Sequence, residues 1–434
     1  QVPGNWCWTR IEYINQYNSC SMDPAKQSDE MFELYSVPSS AGNYPEILSG
    51  DEIGSIKQSV QKGDVLLCKI NPRINRVWQV SKYTNNTLLA SSEWIVVRNK
   101  YLNSEYLMRC FQSNYFREFM LSNVSGVGGS LMRAQPKYVQ GYPVPIPPLS
   151  EQQRIVECIE SLFAKLDEAR RKVQDVLDGF EPRRAAILHK AFSGELTAQW
   201  RKEHGVGMEE WIDTVLSKVV TGFKYGTSEK SDYSYAGMPV FRIPNITENG
   251  LSFEDMKFLP HYDVKEESQI HENDILIIRS NGSRDLVGKS VLVPKLDVSY
   301  AYASFLIKIK PSAAIVPDFL VLYLNSTGAR VQMFKKAKSS VGINNINAKE
   351  LGGIALKIPS IQEQSKVVHV LDDLFAKERQ VKEASETVLE QIDLIKKSIL
   401  ARAFRGELGT NDPAEESALE LIKQTLSETI ANND

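Results

Sequence analysis

The stretch DILIIRSNGSRDLVGKSVLV, Asp274 to Val293, holds the residue types of a nucleotide-binding loop. An apolar, β-branched run leads into Asn281-Gly282, and Gly288-Lys289-Ser290 follows. A phosphate-binding loop needs a strand, then G-x-x-x-x-G-K-[ST], then a helix whose first N–H groups hold the phosphate. Here five residues separate Gly282 from Gly288, one more than the pattern has. The residues after Lys289, SVLVPK, read as a strand with a proline where a helix should begin. An NTPase using Lys289 therefore fails on spacing, and strand–turn–strand is the expectation. There is no G-x-S-x-G elbow and no H-E-x-x-H. Asn71-Pro72-Arg73 only echoes an adenine-methyltransferase loop, because its third position is wrong. The five histidines do not pair at helical spacing, and the five cysteines never form C-x-x-C. No catalytic or metal residue is assigned.

What remains is a set of polar and basic side chains at strand exits. Lys69, Asn71, Arg73 and Arg76 follow DVLLCKI, and Arg279, Asn281, Ser283, Arg284 and Lys289 follow DILIIRS. A second group is Ser130, Arg133 and Lys137, with Ser339, Ser340, Asn344 and Asn345 as its counterpart. These side-chain types read base edges and hold phosphates. They also suit a solvated loop.

Net charge is −3, but it is unevenly spread. Residues 1–150 carry 14 basic and 12 acidic side chains, residues 209–360 carry 18 and 17, and residues 409–434 carry one lysine against six acids. The two larger stretches are near neutral, which permits a nucleic-acid partner without indicating one. No apolar run approaches the ~18 residues of a membrane span. The start QVPGNWCWTR has no signal-peptide core and no initiator Met, so we expect missing or processed residues and a cytoplasmic location with reduced thiols.

The elements that carry these residues are written twice. LFAK at Leu162–Lys165 recurs at Leu374–Lys377, AFSGEL at Ala191 recurs as AFRGEL at Ala403, and Glu151-Gln152 recurs as Glu363-Gln364. Every pair is 212 residues apart. Ile155, Ile159, Leu162, Leu166, Ala169, Val173, Val176 and Phe180 form a heptad seam. Val367, Leu371, Leu374, Val381, Val388, Ile392, Ile395 and Ile399 form its copy, with Glu378 and Ser385 interrupting it. Each predicts a helix region of ~60 Å at ~1.5 Å per residue, pairing with the other. Pro182 should kink or break the first, while Leu394 stands there in the second. Before each helix lies a weakly alike β-rich block. KGDVLLCK at Lys62 aligns with ENDILIIR at Glu272, EYLMRCFQS at Glu105 with DFLVLYLNS at Asp318, and GGSLMRAQPK at Gly128 with SVGINNINAK at Ser340.

Two unlike blocks, each followed by a like helix with I-P-x-x-x-E-Q at its start, L-F-A-K along it and A-F-x-G-E-L at its end, resemble the specificity subunit of type I restriction–modification systems. The likeness spans essentially the whole chain. It implies an α/β (α+β) fold of two target-recognition domains, 1–147 and 211–358. Two long antiparallel coiled-coil regions, 148–200 and 359–408, would separate them, with a linker at 201–210 and a tail at 409–434. It implies a non-catalytic reader of double-stranded DNA, each domain meeting one half of a split, asymmetric site. Helices ~60 Å long would span about 17 base pairs at ~3.4 Å each. Two methyltransferase subunits and the restriction (motor) subunits would be its partners. S-adenosylmethionine, ATP and magnesium would sit on those partners, with no cofactor on this chain. Leu162, Phe163, Phe192, Glu195, Leu374, Phe375, Phe404 and Glu407 are the candidates for the partner or helix interface. Block one departs from the pattern, with Pro72 and Trp78 where block two has Gly282 and Gly288. The tail reads as an amphipathic helix capped by Asp412, with Pro413 and Glu415 in its first turn and Leu419, Ile422, Leu426 and Ile430 as its stripe. A coiled-coil adaptor that binds only proteins is the rival reading.

Overall fold

The computed structural model describes residues 2–122, 124–125, 132–340 and 342–431. The chain divides into two compact units. Unit one is Gln1–Gln174 with Glu386–Asp434, and unit two is Asp175–Ser385.

At the centre of each unit lies a strand whose side chains are all buried, Val65–Cys68 in unit one and Ile275–Ile278 in unit two. A continuous apolar run forms a strand when both of its faces are covered. Alternation then divides its residues between two cores. Val65 and Leu67 join the helices in one cluster, while Leu66 and Cys68 join Tyr35, Trp78 and Trp94 in another. Ile275 and Ile277 face the helices of unit two, and Leu276 and Ile278 pack with Phe241 and Tyr302. Val65–Cys68 lies antiparallel between Val77–Gln79 and Trp94–Val97. Ile275–Ile278 likewise lies between Ser290–Leu292 and Leu306–Pro311, with Val220–Tyr225 added outside. A five-stranded sheet in unit one and a three-stranded one in unit two flank these. Helices Ser104–Phe111 and Pro317–Leu324 cover the strands, the first capped by the Asn103 side chain on the N–H groups of Glu105 and Tyr106.

The repeated motifs fasten each block to the helices. Glu151, Gln152, Glu363 and Gln364 are all buried. The Glu151 carboxylate accepts from the indole N–H of Trp6 at 2.8 Å, the Asn411 amide at 2.8 Å and the Thr410 hydroxyl at 3.3 Å. Glu363 accepts from the Trp211 indole at 3.1 Å, Thr197 at 2.6 Å and the Arg201 guanidinium at 2.6 Å. Gln152 accepts from the backbone N–H of Asn103 and Gln364 from that of Val316, each the residue preceding a block helix. Trp6 and Trp211 precede equivalent strands, Cys7–Arg10 paired with Pro143–Ile146 and Ile212–Val215 paired with Ala355–Ile358. The glycine of A-F-x-G-E-L has positive φ in both copies, Gly194 at 84° and Gly406 at 72°. A Cβ at Gly406 would overlap Pro3, and one at Gly194 would lie 2.6 Å from the Met208 sulfur.

The first long helix runs Leu149–Asp178 and resumes as Phe180–Phe192, because Pro182 has no N–H for the Asp178 carbonyl. The second, Ile361–Ala403, is unbroken. Within unit one, Asp167 pairs with Lys396 and Arg170 with Asp393, so the two helices run antiparallel there. Within unit two, Leu188 and Ala191 share a core with Val367, Leu371 and Phe375. The expected seam is not buried along its length: Val176, Val381, Val388 and Ile395 are exposed. The buried positions of the second helix lie toward its two ends, Val367, Leu371 and Ile392 of that seam together with Phe375, Leu400 and Ala403.

The linker into block two and the tail each take a definite local structure. Residues 201–210 are folded: Ala198–His204 is a helix, and Arg201 is buried against Glu363. The tail helix begins at Leu419 rather than after Asp412. Asp412 caps only the turn at Ala414, and Glu415 reaches back to Arg154 in a two-pronged pair at 2.8 and 2.9 Å. Tertiary contacts override the local cap. Ala418 and Ile422 are buried on the unit-one core, and the Ile430 side chain lies outside the described residues.

The Arg154 guanidinium, aided by Ser150, holds the Glu415 carboxyl down at about 2. A depressed carboxylate stabilises above its unfolded value near ~4.3 and loses that contribution as pH falls. Protection of the 412–426 amides against exchange, taken relative to their intrinsic rate at each pH, should therefore fall between about pH 4.5 and pH 2, and Glu415→Gln should show the lower protection already at pH 7. An unchanged rate in that variant would show that the pair does not hold the tail.

Among the described residues no helix is long and apolar enough to cross a membrane, and no group of three or more His, Cys, Asp or Glu is placed to hold a metal.

Candidate nucleic-acid interface

In both units the chain leaves the buried central strand through the same backbone frame. Lys69 donates its N–H to the carbonyl of Glu93 at 2.9 Å, and its own carbonyl accepts from Ala134 at 2.9 Å. Arg279 does the same with Phe305 at 3.0 Å and Ile346 at 2.9 Å. One residue on, Ile70 bridges to Arg133, and Ser280 pairs with Asn345. A further residue on, the Asn71 N–H donates to the Met132 carbonyl, and Asn281 pairs with Asn344. The two candidate groups, far apart in sequence, are thus brought together in each block. In unit two they form a small sheet of Ser280–Asn281, Ile343–Asn345 and Lys338–Ser340.

The side chains on this shared frame differ. In unit one Arg133 pairs with Glu93 at 3.0 Å, beside Lys69. Asn71 takes a left-handed conformation (φ 47°), and its carboxamide oxygen is buried with no donor among the described residues. In unit two the Arg279 guanidinium lies 4.6 Å from the centre of the Tyr225 ring. Its Nη atoms reach Asn345 Oδ1 at 3.3 Å and the Ser304 carbonyl at 3.4 Å, while its Nε has no acceptor among the described residues. Phe305, next to it, is 57% exposed. Buried polar atoms without partners are uncommon.

Other candidates lie elsewhere. Arg73 is exposed on the turn Pro72–Ile74, and Arg76 returns on the adjoining chain, its carbonyl accepting from Cys68. Ser283 closes a turn on Asn281, Arg284 lies 5.4 Å from the Phe334 ring, and Lys289 sits 4.0 Å from Glu248. Lys137 is exposed on the short helix Pro136–Val139. Ser130 lies outside the described residues, and Ser340 is placed by its backbone pairing with Ile343 alone. Gly288 (φ 88°) packs where a Cβ would lie 2.5 Å from the Met333 sulfur, so it serves packing rather than a phosphate.

Of the residues expected at a partner or helix interface, the aromatics turn inward. Phe163 lies under Arg109 and Lys396, Phe192 packs on Phe319 and Tyr323, Phe375 lies under Arg184, and Phe404 meets Tyr106 edge-on. Leu162 and Leu374 are half-buried, and Glu195 and Glu407 are exposed. Glu93, Phe305 and Tyr225 were not foreseen. Extending the 212-residue offset would have set Glu93 opposite Phe305.

The chain thus carries one backbone frame twice, with the fastening residues alike and the side chains at the two strand exits different. The family described as Type I restriction modification DNA specificity domain matches at residues 10–176 and again at 209–391, and the chain belongs to it. It is 27% identical to the Type I restriction enzyme EcoKI specificity subunit of Escherichia coli (strain K12) over 73% of this chain and 68% of that one. It is 26% identical to the StySPI specificity subunit of Salmonella potsdam over the same shares, 73% and 68%. Its fold matches the HsdS subunit from Thermoanaerobacter tengcongensis with TM-score 0.61 at 20% identity, covering 94% of this chain and 98% of that one. A chain solved under the words "Structural basis underlying complex assembly and conformational transition of the type I R-M system" gives 0.76 at 20% identity, over 94% and 100%.

Proposed function

We propose that this type I specificity subunit reads a bipartite, asymmetric duplex site, one half through each block. The recognition domains are 1–147 and 211–358, and the helical regions 148–200 and 359–408 set the spacing between half-sites. One observation carries the reading: the frame around Lys69 and that around Arg279 have the same backbone hydrogen bonds and different side chains. Two readers of different sequences require that combination. The helical regions dock two methyltransferase subunits, which bring S-adenosylmethionine and methylate adenine. Restriction subunits bring ATP and magnesium, and no cofactor binds this chain.

The chain with its methyltransferase subunits should shift a duplex carrying its site, and affinity should fall by about two orders of magnitude or more between ~50 and ~200 mM salt, as phosphate contacts release counterions. A protein-only adaptor would shift no duplex at any salt.

Exposed apolar residues on the second helix support docking: Leu394 is 62% exposed and Ile395 46%. Surface substitutions at such positions change folding stability by about 0.5 kcal/mol or less. Leu394→Asp should thus leave the Tm unchanged while lowering methyltransferase co-purification about 10-fold. Retention of full stoichiometry would place the docking face elsewhere.

A further inference from the structure

Superposing the two frames pairs position by position the side chains that present themselves at the strand exit. Glu93 stands where Phe305 stands, because each offers its carbonyl to the N–H of Lys69 or Arg279. Arg133 stands where Asn345 stands, because each lies opposite the next residue of the exit strand, Ile70 or Ser280. Unit one therefore presents a carboxylate and a guanidinium 3.0 Å apart, with Arg133 more than half exposed. Unit two presents an exposed phenyl ring and a carboxamide, and that carboxamide is steered by Arg279, which takes one lone pair of its oxygen.

Major-groove chemistry gives these pairs different complements. A guanidinium donates to guanine O6 and N7, and a carboxylate accepts from cytosine N4–H. A carboxamide meets adenine N6 and N7 together, and an aromatic ring covers the thymine methyl. The remaining lone pair of Asn345 Oδ1 and its Nδ2 donors are what adenine requires. We propose that Glu93 with Arg133 reads a G·C pair in one half-site, and that Phe305 with Asn345 reads an A·T pair at the equivalent place in the other. These four residues are then specificity-determining. This rests on the DNA-reading assignment above and adds to it which residues choose and which base pair each pair chooses. The cations behind them, Lys69 and Arg279, position and neutralise without choosing.

The test uses the full chain with its methyltransferase subunits and selection from a random duplex library. The wild type should yield a two-part sequence. Asn345→Ala should relax one A·T position about 10-fold or more and leave the other half-site as it was. The double variant Glu93→Gln, Arg133→Ala should relax one G·C position in that other half. Phe305→Glu with Asn345→Arg should turn the A·T preference toward G·C. Discrimination unchanged at every position overturns the proposal. So does relaxation of a G·C position by Asn345→Ala, or a uniform loss of affinity in that variant with discrimination kept, since the last is what a phosphate contact gives. If the unit-two double variant Phe305→Glu, Asn345→Arg does not fold, the single alanine and the unit-one variant still decide. A wild-type complex that selects no sequence would instead sink the DNA-reading assignment itself.

Discussion

Replacing Glu363 by alanine is expected to destabilise unit two by about 3–5 kcal/mol, because it strands a buried cation. Arg201 and Glu363 are 8% and 2% exposed at the side chain, with Nη1 and Oε1 2.6 Å apart. Further bonds tie both groups down. Arg201 also donates to Thr197 at 3.0 Å and to the Gly194 carbonyl at 2.6 Å, and the Trp211 indole donates to the second carboxylate oxygen. Truncating one partner leaves a desolvated charge. Replacing both by apolar residues removes the desolvation cost along with the attraction, so Arg201→Met with Glu363→Leu should be closer to wild type than Glu363→Ala alone. Glu151 makes the control. Its hydrogen-bond donors among the described residues are neutral, so Glu151→Gln, which keeps an acceptor for Trp6, should cost less than Glu363→Gln. Urea unfolding, with hydrogen exchange over Ile212–Val215, checks each. Equal costs for the two glutamine variants would show that Arg201 is not held by Glu363.

The second large effect is at Gly226, which bears no candidate side chain. A Cβ there would overlap the backbone oxygens of Tyr302 and Ala303. The neighbouring Thr227 is laced to the same segment, its N–H donating to Tyr302 at 2.8 Å and its carbonyl accepting from Ser304 at 2.8 Å. Backbone cannot swing aside as a flexible side chain would, so Gly226→Ala must push the 302–305 segment outward. Overpacking of this kind costs about 1–3 kcal/mol, about 2–12 °C in Tm for a unit of this size. The displaced segment carries Phe305, whose carbonyl anchors Arg279. Block two should therefore lose sequence discrimination about 10-fold or more while block one keeps its own. Calorimetry and duplex selection on the same variant give both numbers, and a native Tm with intact discrimination would remove Gly226 from the positioning of the site.

The parts of this architecture legible in the sequence are those whose signal is local or repeated. DVLLCKI and DILIIRS announced their strands because an apolar run of that length, bounded by polar turns, has few other uses. The 212-residue offset exposed the doubled plan. Pro182 interrupted its helix for a reason internal to the backbone. What stayed hidden depends on long-range partners. Glutamate is seldom buried unless paired, and the partners of Glu151 and Glu363 lie 145 and 152 residues away at Trp6 and Trp211. Arg201 looked like part of a linker for the same reason. Asp412 and Pro413 promised a helix start that Glu415 forgoes for its pair with Arg154. The candidate DNA-facing residues were recognisable by type, but which of them meet was fixed only by the frame. Glu93 and Phe305, carried on a neighbouring turn, had no motif to mark them.

If each block chooses one half-site independently while the helices set the gap, replacing one block changes one half of the motif alone. Exchange of residues 209–360 for the corresponding block of another family member tests it most directly. The chimera is expressed with its methyltransferase subunits in a host lacking other adenine methylation, and the methylated adenines are sequenced. One half of the methylated motif should be replaced, with the other half and the gap length unchanged. A motif altered in both halves, or in neither, would show that the blocks do not choose their half-sites independently.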